Sequence, residues 1–409
     1  MNVDFLAPKK EYKGSAFQLK MKPLAPLFTT NAKTQRFILN WQSDTNASES
    51  LDALTRFAPT LERWYDRHRR DLPWRHTTDP YRIWLSEIIL QQTRVAQGLP
   101  YYLRFVDAYP TLPDLAQAEE QALLRLWQGL GYYSRARNLH QTAKYIHSEL
   151  NGLFPNSYRA LLTLKGIGAY TAAAIASFAY GERVPVVDGN VYRVLARVFG
   201  IDEDIMSTGA KKTFSALATQ LMAHAVDPAT YNQAIMEFGA IQCTPVSPDC
   251  LICPVQQPCV AYQTGRQREL PVKKKKAAVR DRFFHYLVFC TRQDGELVVA
   301  MHERVGRDIW QNLHEFYLVE ADEPRTDLRD LDIPEPLNEL VGQCVFATPP
   351  TAGTQLLSHQ RIRALFYRIN LPEGPENKPP EGFRWYTRQQ ISQLPKPVLV
   401  SDYFEKVLG

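Results

Sequence analysis

Apolar positions between about residues 59 and 240 recur at the three-to-four-residue spacing of helices, and after residue 283 the spacing shortens to two. The first stretch predicts a run of helices. Leu61-Glu62-Arg63-Trp64-Tyr65 lies in one. Asp79-Pro80 opens another, with an N-cap aspartate and proline at the first helical position, and its apolar run reaches Leu90-Gln91-Gln92-Thr93. Residues 156–163 and 169–179 predict two more, the second rich in alanine. The span 210–240 predicts a further pair, ending in Ala234-Ile235-Met236-Glu237-Phe238-Gly239-Ala240. The period-two stretch predicts strands at 283–290 and 296–301, joined across the hairpin signal Asp294-Gly295. Strands are also expected at 315–320, 361–369 and 383–386, and a helix near 388–393. Residues 1–55 hold no sustained pattern beyond a short helix around 34–41 and read as an extension of little intrinsic structure. The expected organisation is therefore that extension, a helical domain over 56–262, a basic linker over 263–281, and a mixed α+β domain over 282–409.

Interruptions of this pattern are where chemistry is expected. The link Leu164-Lys165-Gly166-Ile167-Gly168 joins two helices with two glycines, which let the backbone turn tightly and approach something outside. The helix that follows offers unpaired N–H groups and the positive end of its dipole to the same surface, which suits a phosphate. An ordinary helix–turn–helix corner is the alternative. Downstream, Asp188 opens the next helix at Gly189-Asn190-Val191. Glu87 has Ile83, Trp84, Leu90 and Gln91 as its helical neighbours, so its face is mostly apolar. Its carboxyl either reaches solvent at the domain edge or lines a dry pocket and stays protonated. Gly129-Leu130-Gly131-Tyr132-Tyr133-Ser134-Arg135-Ala136-Arg137 is either a capped corner or an aromatic wedge beside phosphate-binding cations.

Composition narrows the classes. A chain of 409 residues with 45% hydrophobic content can bury a real core in each of two domains. The net charge of +5 suits an anionic partner without proving one. With no apolar run of membrane length and no hydrophobic signal core, neither a membrane span nor export is expected. Of six cysteines, four stand at Cys243, Cys250, Cys253 and Cys259, with prolines at 245, 248, 254 and 258 stiffening the loop. That crowding favours a metal site over a disulfide scaffold, and zinc is the default for a four-cysteine loop. Cys290 and Cys344 read as small buried hydrophobes, and the lysines at 273–276 as a solvated tether.

Taken together, Leu85-Ser86-Glu87 with Gln91-Gln92-Thr93, the 129–137 turn, the hairpin with Val187-Asp188-Gly189-Asn190-Val191, and the cysteine loop resemble the MutY group of DNA base-excision glycosylases over about residues 59–370. The resemblance implies an all-α helix–hairpin–helix glycosylase domain whose loop 243–259 carries a [4Fe-4S] cluster, plus a C-terminal α+β Nudix-like domain. It also implies adenine excision from duplex DNA in which adenine faces 8-oxoguanine or guanine. Glu87 would protonate the leaving adenine at N7, and Asp188 would stabilise the cationic sugar. Tyr170 and Asn190 would assist in the same pocket. That division of labour makes physical sense, because a poor leaving group needs an acid kept protonated by apolar surroundings. Gly166 and Gly168 would hold the DNA backbone, Gln92 and Tyr132 would wedge the duplex, and Ser358 with His359 would inspect the oxidised base. The chain departs from the group at Lys165, where proline is common, and at Leu357, where an aromatic is more usual. The region 306–315 lacks the glutamate cluster of a working Nudix hydrolase, which leaves a reading role. A monomer in a bacterial cytoplasm, at the nucleoid and away from membranes, is the expected setting. One rival is an endonuclease III-like glycosylase/lyase, which uses a lysine just after the hairpin, where this chain has Tyr170. Another is a non-catalytic iron–sulfur DNA-binding protein, which needs neither Glu87 nor Asp188.

Overall fold

The computed structural model describes residues 47–274, 279–335, 337–343, 349–373 and 377–408. The expected helix at 34–41, Cys344 and two of the tether lysines lie outside these. The helical part begins earlier than the sequence pattern suggested: helix α1, Ala47–His68, starts nine residues before the expected boundary at 56 and runs through Pro59. Leu54, Phe57, Ala58 and Leu61 are all buried, and this stripe of core contacts carries the helix past a residue that lacks an N–H.

Eleven further helices follow: α2 Pro80–Leu90, α3 Val95–Ala108, α4 Leu112–Gln117, α5 Glu120–Trp127, α6 Ser134–Glu149, α7 Tyr158–Leu161, α8 Ala169–Tyr180, α9 Gly189–Phe199, α10 Thr208–Met222, α11 Pro228–Glu237 and α12 Val260–Gln263. Their starts are written in the sequence. Asp79, Ser157, Asp188, Ser207 and Asp227 each accept a hydrogen bond from a backbone N–H of the first turn. Gly181 and Gly200 end α8 and α9 in the left-handed conformation. Beyond α11 the chain continues as a π turn, Phe238–Gln242, which delivers Cys243.

The second part is a mixed sheet: β1 Arg280–Gln293, β2 Glu296–Glu303, β3 His314–Glu315, β4 Tyr317–Ala321, β5 Thr351–Leu356, β6 Gln360–Asn370 and β7 Arg384–Thr387. Strand β1 is its spine. It runs parallel to β6, while on its other edge its first half pairs antiparallel with β4 and its second half with β2. Helices α13 Leu337–Gln343, α14 Arg388–Gln393 and α15 Val398–Tyr403 complete it. Both faces of β1 are covered. Tyr286, Val288 and Cys290 face a core continuous with that of the helices, and Leu287 and Phe289 face a smaller separate one. Among the described residues no helix is long and apolar enough to cross a membrane.

Candidate active site

Helix α2 is buried along eight of its positions, from Tyr81 to Ile89, and Glu87 is among them. Its carboxyl lines a cleft of about 950 Å³, so the dry-pocket alternative describes this residue. Helix α8 packs beside α2, with Gln91 Nε2 donating to Thr171 Oγ1 at 3.3 Å, and brings Tyr170 into the same cleft. The tyrosine hydroxyl sits between the Glu87 carboxyl and Met236 Sδ, 3.7 Å from the sulfur. Burial pushes Glu87 up to about 7; the negative charge of Asp188 adds to this, while Tyr170 and Arg75 oppose it.

Asp188 is fixed by its role as the cap of α9. Its Oδ1 accepts from Val191 N at 2.8 Å, and its Oδ2 accepts from Asn190 Nδ2 at 2.9 Å. Burial raises its pKa despite these bonds; the hydrogen bonds and Arg193 offset part of the rise. Both carboxylate oxygens nonetheless meet donors, as an ionised acid requires. Asn190 is held in turn: its Oδ1 accepts from Arg193 Nη2 at 2.8 Å, and Arg193 also donates to Gly239 O and Cys243 O. A Cβ at position 239 would lie 2.6 Å from Asn190 Cβ, so only glycine allows the π turn this close to the cap.

Sequence reasoning missed this support, together with Arg75 and Glu237. Glu237 is buried and accepts from Arg70 Nε at 2.8 Å and Nη2 at 2.6 Å, and from Arg75 Nη1 at 3.1 Å and Nη2 at 2.7 Å. Burial works to raise its pKa, but the two guanidiniums outweigh it and hold the carboxyl at about 2. A glycine inside a helical pattern was the available signal for residue 239; nothing local singled out Glu237.

The structure brings Glu87, Tyr170, Asp188, Asn190, Gln92 and Gly168 to one cleft. Gln92 (φ 54°) and Tyr132 (φ 50°) both hold left-handed backbones that non-glycine residues seldom adopt, and Tyr132 is exposed. Arg135 ties their loops together. It donates to Ile88 O, Ile89 O and Gln91 O at 2.7–2.9 Å and to Gly131 O at 3.2 Å, and burial lowers its pKa to about 10. Gly166 takes φ 76°, and a Cβ there would meet Asn138 Cβ at 2.8 Å; Gly168 caps α8 beside open space. Ser358 and His359 do not join the cleft. They are exposed in the β5–β6 turn, which is closed by Leu357 N donating to Gln360 O at 2.8 Å.

Cys243, Cys250, Cys253 and Cys259 are free thiols. Burial raises Cys250, Cys253 and Cys259, Cys253 to about 12, and the neighbouring cysteines add to each rise. Arg197 Nη1 lies 3.4 Å from Cys243 Sγ. Among the described residues no three of His, Cys, Asp or Glu are placed to hold a single metal ion. The loop from 243 to 259 contains no lysine, arginine or histidine, so it does not itself present basic residues to DNA.

Residues 85–220 match the family described as HhH-GPD superfamily base excision DNA repair protein. Over 320 residues the chain is 45% identical to the adenine DNA glycosylase of Homo sapiens, an alignment covering 75% of this chain and 55% of that protein. It is 34% identical over 258 residues to the adenine DNA glycosylase of Buchnera aphidicola, covering 63% of this chain and 73% of that one. A solved thermostable thymine-DNA glycosylase is 29% identical, with a TM-score of 0.48 over 53% of this chain and 99% of its own. The chain spans about half the length of the animal relatives it matches. Relatives in animals, a plant and bacteria lend no support to a bacterial source in particular. The chain belongs to the adenine DNA glycosylase family.

Proposed function

We propose that this protein removes adenine mispaired with 8-oxoguanine or guanine in duplex DNA, by hydrolysis of the N-glycosidic bond. The observation that carries this reading is one cleft holding two acids in different surroundings: Glu87 among apolar neighbours with its carboxyl near 7, and Asp188 cradled by donors. The adenine must leave the stack to reach them. Glu87 then gives its proton to N7 as the bond from C1′ breaks, and the electron pair leaves with the base. Asp188 faces the positive charge that develops on the sugar, and water completes the exchange at C1′. Tyr170 holds the Glu87 carboxyl in place, and Asn190 holds Asp188.

No lysine lines the cleft, which favours hydrolysis over a lyase route through an amine. Lys165, which precedes both hairpin glycines, donates its Nζ to Gln141 Oε1 at 2.5 Å. Gly166, Gly168 and the start of α8 would hold the DNA backbone, and Gln92 with Tyr132 would fill the duplex beside the extruded base. The second domain reads as Nudix-like, with Ser358 and His359 inspecting the partner base, in a chain that acts as a monomer on cellular DNA.

The cysteine loop fits a [4Fe-4S] cluster. Four unpaired thiols share one loop, Cys250, Cys253 and Cys259 each feel the charge of neighbouring cysteines, and Arg197 stands ready to offset anionic sulfur. Cys243, Cys250, Cys253 and Cys259 would hold the cluster. Bound there, it supplies a cross-link between the end of the helical core and the linker. Purified chain should contain about four irons and four labile sulfides; stoichiometric zinc without sulfide would count against this assignment. The activity is tested by single-turnover incubation with duplexes carrying adenine opposite 8-oxoguanine, guanine or thymine. Base release without strand cleavage from the first two is expected, and strand cleavage at the rate of base release would favour the lyase reading.

A further inference from the structure

We propose that the sheet domain is seated on the Tyr132 turn, and that the Glu120–Asn312 and Arg137–Gln311 contacts set the preference for the oxidised partner base by fixing the register between the reading loop and that turn. This rests on the function proposed above.

The contacts between the two parts converge on one short stretch of the helical domain. Asn312 Nδ2 donates to Glu120 Oε1 at 2.5 Å, and Arg137 Nη1 donates to Gln311 O at 2.8 Å. Gln128 Nε2 donates to Ser401 Oγ at 3.2 Å, its Oε1 accepts from Lys396 N at 3.4 Å, and Arg125 Nε donates to Ser392 O at 3.0 Å. The helical-domain partners thus all fall between residues 120 and 137, on both sides of Tyr132. Residues 128 and 137 flank the turn itself, so any shift of the sheet domain bears on the Tyr132 backbone.

The gripping loop is built for this. Trp310 (φ 62°) and Asn312 (φ 64°) both hold left-handed backbones on either side of Gln311, a strain that asparagine tolerates and tryptophan seldom does. Asn312 N donating to Arg304 O at 2.7 Å and Leu313 N donating to Trp310 O at 3.0 Å keep the loop in place. Strain of this kind persists only where surrounding structure over-determines it. Here it presents the Gln311 carbonyl and the Asn312 amide to the other domain. Arg137 is half-desolvated at the contact, which lowers its pKa, and Glu120 beside it works the other way, so the two bonds form one charge-balanced patch.

The test uses the full chain and three variants, Glu120→Ala, Asn312→Gly and the two combined. Glycine at 312 keeps the left-handed backbone and removes only the side-chain bond. Single-turnover excision is measured opposite 8-oxoguanine and opposite guanine. The combined variant should lose roughly five- to tenfold of the preference for the oxidised partner, the net scale of one ordinary hydrogen bond. Excision opposite guanine should stay within about twofold, and the singles should nearly equal the double because they break one pair. Glu120→Gln, which keeps an acceptor, should retain most of the preference. An undiminished preference in the combined variant, or equal losses on both duplexes, overturns the proposal while leaving the function intact. An unaltered chain with no preference at all overturns the reading beneath it as well.

Discussion

The cleft and the sheet domain each gather a cluster of acids, and they treat them in opposite ways. In the cleft, burial dominates and both carboxyls move up, with the charge of Asp188 adding to the rise of Glu87. In the sheet domain, Asp308, Glu315 and Glu320 surround Arg282 and Arg304. Arg304 donates to Glu315 Oε1 at 2.6 Å and to Asp308 Oδ2 at 2.7 Å, and Arg282 meets Asp308 and Glu320. Burial works against ionisation of Asp308 as well, yet the arginines hold it at about 2. Glu237 repeats the second pattern within the cleft wall. Acids whose charge is already matched accept no further cation and give up no proton at neutral pH, so they hold structure together. An acid without a matching cation is the one suited to proton chemistry, and in the cleft our proposal gives that part to Glu87.

The largest effect follows from removing that proton. Glu87→Gln keeps the shape of the side chain but cannot donate an acidic proton. Single-turnover adenine release should fall by roughly 10²- to 10⁴-fold, the usual worth of a positioned general acid, with binding to the lesion duplex preserved. Retention of near-normal rates would show that the unmatched acid is not the donor and break the comparison at its first term.

A matched acid should behave differently when its partner is taken away. Arg304→Met strands the buried Glu315 carboxylate beside Tyr286 and His302, and should destabilise the sheet domain by about 3 kcal/mol, as for other broken buried pairs. Denaturant unfolding measures it. Excision opposite guanine should change little, and a loss there comparable to that of Glu87→Gln would mean the two clusters are not independent.

Titration gives a smaller, signed test. Below the ordinary glutamate pKa, Glu87 is protonated in both the folded and unfolded chain and costs nothing. As pH rises toward about 7 the unfolded chain releases this proton while the folded chain keeps it, so Glu87 costs stability, and the full cost is present above about 7. Glu87→Gln should therefore raise stability at about pH 8 relative to about pH 5, by an order of 2 kcal/mol. Excision by the unaltered chain should decline over the same rise. A variant whose stability gain does not grow with pH would show that burial leaves Glu87 unshifted.

How far these two regions could be read from sequence follows from the range of the forces that make them. The helix starts at Asp79 and Asp188 were legible because caps act within one turn. Strand β1 was legible because alternation and Asp294-Gly295 are local signals. Glu87 stood out as a carboxylate on an apolar face. Strand β5 was missed: its exposed–intermediate alternation offers no apolar stripe, and it exists only by pairing with β6. Residues 47–55 were assigned to the extension because helix α1, with Leu54 buried, packs against α10 and α11, which lie far along the chain. The two-arginine clamp on Glu237 spans more than 160 residues of chain, so no spacing rule reveals it.

The smallest effect lies in the exposed turn between β5 and β6. Ser358 and His359 are exposed at the β5–β6 turn, so their removal opens no cavity and strands no buried partner. His359 O already accepts from Arg280 N at 3.1 Å, a backbone bond that alanine preserves. Replacing both residues by alanine should therefore leave unfolding midpoints and excision opposite guanine unchanged. What it removes is a side-chain hydroxyl and an imidazole free to meet a base, together worth about 1–2 kcal/mol of discrimination. Single-turnover rates on the two duplexes should then differ by a ratio roughly five- to thirtyfold smaller than in the unaltered chain. Deleting residues 281–409, with the helical core still folded, should reduce the ratio further. If the double variant keeps the full ratio while the deletion loses it, the sheet domain discriminates through its seat on the Tyr132 turn and not through this loop.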